Sequence, residues 1–275
     1  MKILTRTYWI GFGRIWATAC MATVFAYGSA FAAPSSQIWI PSTDAKGFKE
    51  VALNVISVQR FSPKSDAGPS SYDAGIEVGV LPMESLKLEI GVDYMATNFQ
   101  SDNPADSHPL YFNAKLAMPE DLGCKGMPAF AVGIYNLGTY DKPEVAVSTR
   151  QNLAYGLVAK TLPIVGRISV GGYYGSRRAL ANGSNSANTD MGAGMMASWD
   201  RTMSEISDKL WLGADYMGGN NANGEVGFGA SWYFTKQVNV LVGIQVFNPG
   251  YKPSGNEGIP GGKPAFTTQL TINLP

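Results

Sequence analysis

The chain has one histidine and two cysteines in 275 residues, and past residue 32 it has no apolar run of membrane-helix length. A spanning helix needs about 20 apolar residues. Any bilayer crossing by this part of the chain therefore falls to strands, the other architecture that satisfies every backbone amide in lipid. Of the cysteines, only Cys124 lies past residue 32. A single thiol makes neither an internal disulfide nor a multi-cysteine metal site. Long Leu/Ala/Glu/Lys stretches, which build helices, are also missing. Bases do not outnumber acids, with 21 of each. That balance leaves no basic stripe for a nucleic acid.

Residues 1–32 read as a secretory leader. Lys2, Arg6 and Arg14 make a basic start, residues 15–27 a short apolar core, and Ala30-Phe31-Ala32 the small residues of a cleavage site. The core is too short to span hydrocarbon. Cleavage is expected, with 33–275 left as one domain. That remainder holds 18 bases against 21 acids, a formal charge of −3.

What the chain does have is glycine and alternation. Its 32 glycines in 275 residues exceed the usual share of about 7%. In residues 225–234, Val226, Phe228, Ala230, Trp232 and Phe234 point one way, while Glu225, Gly227, Gly229, Ser231 and Tyr233 point the other. Strand side chains alternate faces, so this is a ribbon with one apolar and one wet side. The same pattern places strands at 50–59, 72–81, 86–94, 110–118, 128–137, 152–162, 167–174, 190–199, 209–217, 225–234, 238–247 and 266–274. That makes 12, an even number, as in bacterial single-chain barrels. Residues 36–40 form either a short extra strand or an ordered tail.

Links between these strands largely alternate in length. Short or middling ones (82–85, 119–127, 163–166, 200–208, 235–237) take turns with longer ones (60–71, 95–109, 138–151, 175–189, 248–265); 217–224 is the exception. A barrel with tight periplasmic turns and longer external loops sorts its links this way. Tyr94, Phe112, Tyr174 and Tyr216 fall near the long-link ends of the apolar face, and Trp199, Trp232 and Phe234 near the short-link ends. Two aromatic belts result, as at the headgroup levels of a bilayer. The expected fold is all-β: a transmembrane antiparallel up-and-down β-barrel of about 12 strands. A soluble β-sandwich is the competing architecture.

The segment Gly227-Phe228-Gly229-Ala230-Ser231-Trp232-Tyr233-Phe234-Thr235-Lys236-Gln237-Val238-Asn239-Val240 is similar to a late hairpin of small Gram-negative outer-membrane barrels. The mature chain as a whole resembles such a barrel, of the porin-like or substrate-channel kind. The resemblance implies an outer-membrane location, surrounding lipid, insertion by the barrel assembly machinery, and a small-molecule solute. One departure is the ending Ile272-Asn273-Leu274-Pro275, where such barrels usually finish on an aromatic residue.

By parity, the lumen receives the acids Asp73, Glu77, Glu89, Asp93, Asp190, Asp215 and Glu225 and the bases Lys87, Lys115, Lys160, Arg167 and Lys209. Tyr135, Tyr173, Trp211, Tyr233 and Gln245 join them. Charges on the lipid face would cost about 2–4 kcal/mol each near the midplane, so confinement to one parity supports the register. Twelve strands enclose more space than eight, whose interior side chains just fill. Many inward positions are also glycine. A narrow pore for small polar or amphipathic solutes, cation-preferring or indifferent to charge, is the expected function. A closed barrel with a structural, surface-display or adhesion role on its external loops is the alternative.

Catalytic signals are poor. A hydrolase would have to use His108, beside Ser107 and within reach in sequence of Asp93, Asp102 and Asp106, but no nucleophile motif surrounds it. Gly192-Ala193-Gly194-Met195-Met196-Ala197 matches a dinucleotide fingerprint but sits in a period-two strand and opens no helix. We expect no enzyme activity, no cofactor and no metal.

Overall fold

In a computed structural model of the chain, the described residues are 35–97, 104–142, 148–181, 192–252 and 258–275. The expected leader, 1–32, lies outside them. The strands are β1 (Val51–Arg60), β2 (Ser71–Gly79), β3 (Lys87–Ala96), β4 (Leu110–Met118), β5 (Ala129–Gly138) and β6 (Leu153–Leu162). They continue with β7 (Gly166–Tyr174), β8 (Ala193–Thr202), β9 (Leu210–Met217), β10 (Glu225–Tyr233), β11 (Val238–Phe247) and β12 (Ala265–Leu274).

Each strand pairs antiparallel with its sequence neighbours, and β1 closes on β12 from Val51↔Leu274 to Arg60↔Ala265. Closure leaves no unpaired edge. The result is the all-antiparallel, up-and-down fold of an outer-membrane β-barrel. Among the described residues, helix is confined to short pieces in the links, such as Pro104–Ser107 and Arg177–Ala181.

The outer face is apolar along its length. Val55, Ile90, Phe112, Val132, Val170, Phe228, Val242 and Phe266 all stand exposed on it. In an ordinary soluble fold such a contiguous apolar surface would be a liability; on a barrel it is the lipid-facing band.

Two local departures matter. In β5, Leu137 pairs with Phe112 but Ile134 pairs with Ala114, so β5 carries an extra residue there, and Asn136 adopts φ 52°. This bulge bends the wall at Tyr135. In β8, the strand begins at Ala193 and runs on to Thr202, which carries Asp200 into the barrel wall rather than into a link.

Candidate functional site

The barrel interior is occupied by the chain's own residues 35–46. Ser35–Gln37 folds back against Ile40–Ser42 as a narrow hairpin: Gln37 N donates to Ile40 O at 2.8 Å, Ser42 N donates to Ser35 O at 3.0 Å, and Ser36 bridges Pro41. The segment read from sequence as an extra strand or tail is therefore an internal strap.

Its tip is held by a carboxylate. Asp215 Oδ2, on β9, accepts the backbone N–H groups of Ile38 (3.0 Å), Trp39 (2.7 Å) and Ile40 (3.0 Å). Successive N–H groups converging in this way make an anion-binding concavity. Gln269 Nε2 donates to Ile38 O at 2.7 Å, and Trp39 Nε1 donates to Asn223 O at 3.1 Å. Ile38 lies over Gly227 and Gly229 of β10, where an added Cβ would come within 3.2 Å and 3.1 Å of its side chain. These inward glycines make the seat for the strap.

Ile40 packs into an apolar cluster with Leu153, Tyr155, Leu157, Tyr173, Leu180, Met196 and Met217. Part of that cluster comes from the links, because Leu180 lies in the Arg177–Ala181 turn. Loop 218–224, the exception in the length pattern, folds inward. Asn221 and Asn223 are buried, Asn221 Nδ2 donates to Tyr173 Oη at 2.7 Å, and Asn223 Nδ2 donates to Gln151 Oε1 at 2.9 Å. The loop narrows the mouth on the long-link side.

Two ionic clusters fasten the remainder of the strap. Asp200 Oδ1 accepts Gln37 Nε2 and Arg167 Nε, both at 2.9 Å, and Arg167 also pairs with Asp44. Across the lumen, Glu89 pairs with Lys115 at 3.3 Å and accepts Ser35 Oγ at 2.8 Å and Lys46 N at 2.9 Å. Lys115 Nζ donates to Ser35 O at 2.7 Å. Buried charges persist only with such partners.

Between the strap and the β1–β5 side of the wall remains a cavity of about 190 Å³. Asp73, Glu77, Glu89, Asp93, Lys115 and Tyr135 border it, together with Trp39, Asn113 and Tyr155. Six of the residues expected in the lumen thus surround one space. Arg167, Trp211 and Asp215 serve the strap instead: Trp211 Nε1 donates to Asp200 Oδ2 at 3.3 Å. Tyr173, Glu225, Tyr233 and Gln245 are buried inside the wall. Lys87 is half-buried at the first residue of β3, outside the cavity lining. Asp190 lies outside the described residues.

Lys160 requires a correction. The buried residues of β6 are Leu153, Tyr155, Leu157 and Ala159, so Lys160 has the outward parity, and Gly156 turns out with it. Both faces of β6 are largely apolar, and its lone charge was the misleading marker. Lys160 sits at the strand end and pairs with Glu120 and Asp121 of the β4–β5 link, each at 3.0 Å.

Sequence reasoning missed the strap and Asp200. Period-two continuation from Ser198 pointed to Asp200, and a thirteenth strand-like segment in an even-stranded barrel pointed to the strap.

No family model matches the chain, and no curated protein matches it. Among solved structures, the chain is similar to an outer membrane channel from Pseudomonas putida F1, with 11% identity over 85% of this chain and 98% of that one, at a TM-score of 0.46. It is also similar to outer membrane phospholipase A from Escherichia coli, with 12% identity over 87% and 96%, at a TM-score of 0.45. OmpF of Salmonella typhi aligns with 9% identity over 82% and 96%, at a TM-score of 0.34. These include channels and an enzyme alike. The barrel assignment stands on strand closure in this chain.

Proposed function

We propose that the protein is a strapped channel of the Gram-negative outer membrane, passing small polar or amphipathic solutes. Lipid surrounds it, and the barrel assembly machinery inserts it. The observation that carries this reading is the cavity of about 190 Å³ kept open beside the strap. A barrel filled only for stability would close such a space with side chains. Instead, acids and rings from β2, β3 and β5 border an unfilled space. Pore radius and lining groups set selectivity, and the acids here favour cations.

Planar-bilayer recording under a salt gradient tests it. The full chain should give small, cation-preferring current steps. Deleting residues 35–46 should enlarge them, with heat-dependent gel mobility reporting that the barrel has formed. Asp215→Asn, which keeps the strap in place but weakens its anchor, should raise the open fraction. Silence from all three would favour a closed barrel with a structural or surface role. The strap's ties to β3, β4, β8, β9 and β12 are the observation behind that second reading.

We read the chain as non-enzymatic. The His108 ring rests on Tyr140, with centroids 4.3 Å apart, and its Nδ1 is 3.0 Å from Ser107 Oγ in the adjoining residue. The two residues adjoin in sequence, and no nucleophile motif surrounds them. Ester hydrolysis abolished by His108→Ala would overturn this.

A further inference from the structure

Asp73, Glu77, Glu89 and Asp93 all face the cavity from two adjacent strands. The register sets acid against glycine across the pair: Gly75↔Asp93, Glu77↔Gly91 and Gly79↔Glu89. Asp93 lies over Gly75, where a Cβ would stand 2.3 Å from Asp93 Oδ1. Glu77, Glu89 and Asp93 therefore meet no cross-strand side chain on this pair, whereas Asp73 stands opposite Met95, which also lines the cavity.

Two lysines stand near these four acids, and both act on Glu77 through space, but their bonds go elsewhere. Lys115 is paired with Glu89 at 3.3 Å and also bonded to Ser35 O. Lys46 sends Nζ to Asn273 Oδ1 at 2.6 Å. Asp93 accepts Asn113 Nδ2 at 2.7 Å, a neutral donor. Asp73 Oδ1 and Glu77 Oε2 are shut off from solvent and have no hydrogen-bond partner among the described residues. Buried carboxyls without partners either hold a proton or take a donor from outside, and the described residues around these two supply none.

The rest of the lining says what kind of donor. Trp39, Tyr135 and Tyr155 present rings, with Tyr135 and Tyr155 edge-on at 5.7 Å. Ile38, Ile56, Val58 and Ile134 add alkyl surface. Among the described residues, no three His, Cys, Asp or Glu side chains are placed to share a metal ion. Rings and carboxylates together suit an organic cation, held by charge at one end and by ring faces and alkyl contact at the other.

We infer that this cavity is a binding site for a small organic cation, an alkylamine that sets its ammonium on the acidic β2–β3 side, which carries Asp73 and Glu77, and its chain against Trp39 and Tyr135. The inference names the solute class of the proposed channel and rests on that reading only for passage, not for binding.

Butylammonium is the probe, with butanol and butyrate as uncharged and anionic controls of the same chain length. Calorimetry on the detergent-solubilised full chain should show saturable butylammonium binding, at least tenfold tighter than either control. Asp73→Asn with Glu77→Gln should weaken it at least tenfold, while Asp66→Asn, in an external link, should leave it unchanged. Butylammonium binding no tighter than butanol in the unaltered chain would overturn the site, the two acids then holding protons instead. That comparison needs no variant to fold. Binding without conductance would keep the site and remove the channel. Conductance without binding would do the reverse.

Discussion

Asp215 Oδ2 accepts the backbone N–H of Trp39 at 2.7 Å across 176 positions of chain, at the centre of a three-donor cradle that pins the strap tip to β9. Hydrogen bonds to a charged acceptor contribute about 1.5–3 kcal/mol. Asp215→Asn should therefore loosen the tip by roughly ten- to a hundredfold in its open population. With Cys124→Ser as background, a cysteine replacing Ile38 should be labelled faster by a small thiol reagent in the Asp215→Asn protein. Equal labelling rates would show that the carboxylate does not hold the strap.

Strap and wall are also coupled sterically. A Cβ at Gly229 would meet Ile38 Cγ1 at 3.1 Å, whereas one at Gly227 would stand 2.5 Å from Asp215 Oδ1. Gly229→Ala should destabilise the strapped form by about 1–3 kcal/mol, the usual cost of overpacking. Ile38→Ala should restore part of that loss. The same second change should do little for Gly227→Ala, whose obstacle is the anchor. The midpoint of heat-dependent gel mobility measures all four proteins, and identical rescue at both sites would contradict the assigned seat.

The β4–β5 link should loosen in acid. Hydrogen bonds from Lys160 and then from Gly126 N–H hold the Asp121 carboxyl below its ordinary range. Burial pushes Glu120 up, but hydrogen bonds from Thr161 and Lys160 outweigh it and hold this group low too. Carboxyls lowered by folding stabilise the fold above their unfolded values, about 3.9 for Asp and 4.3 for Glu. That stabilisation is lost as pH falls through the lower folded values. Hydrogen-exchange protection of residues 119–128 should persist at neutral pH and fall below about pH 4. Lys160→Ala should lower protection already at neutral pH. Protection that is flat down to pH 2 would refute the clamp.

Outward positions should behave as lipid contacts. Cysteines replacing Val226, Phe228 and Val240, in the Cys124→Ser background, should resist a water-soluble thiol reagent in intact envelopes. Phe228→Arg should cost about 2–4 kcal/mol if the site lies near the midplane. Free labelling at all three positions would take the barrel out of the bilayer.

Much of the barrel was legible because a strand writes its two environments into alternate residues. In β10, Val226 and Phe228 go to the outer face, and Glu225 and Tyr233 go inward, as their polarity demands. The reading failed where that contrast vanished. Leu153 and Leu157 are as apolar as the outward Val158, so β6 had no polarity to orient it, and Lys160 beyond its buried stretch was mistaken for a marker. Asp200 was lost to a strand end drawn too early. Of the cavity, the six bordering residues were each assigned inward, but nothing in their spacing showed that they share one space.

The sequence by itself determined strand number, neighbour pairing and the apolar outer surface, because those follow from local alternation and from the turn-taking of short and long links that an up-and-down barrel imposes. Only the tertiary structure decided what fills the interior. The strap's bonds to Asp215, Asp200 and Glu89 join residues far apart in the chain, and the three on Asp215 come from backbone N–H groups that no pattern of side chains announces.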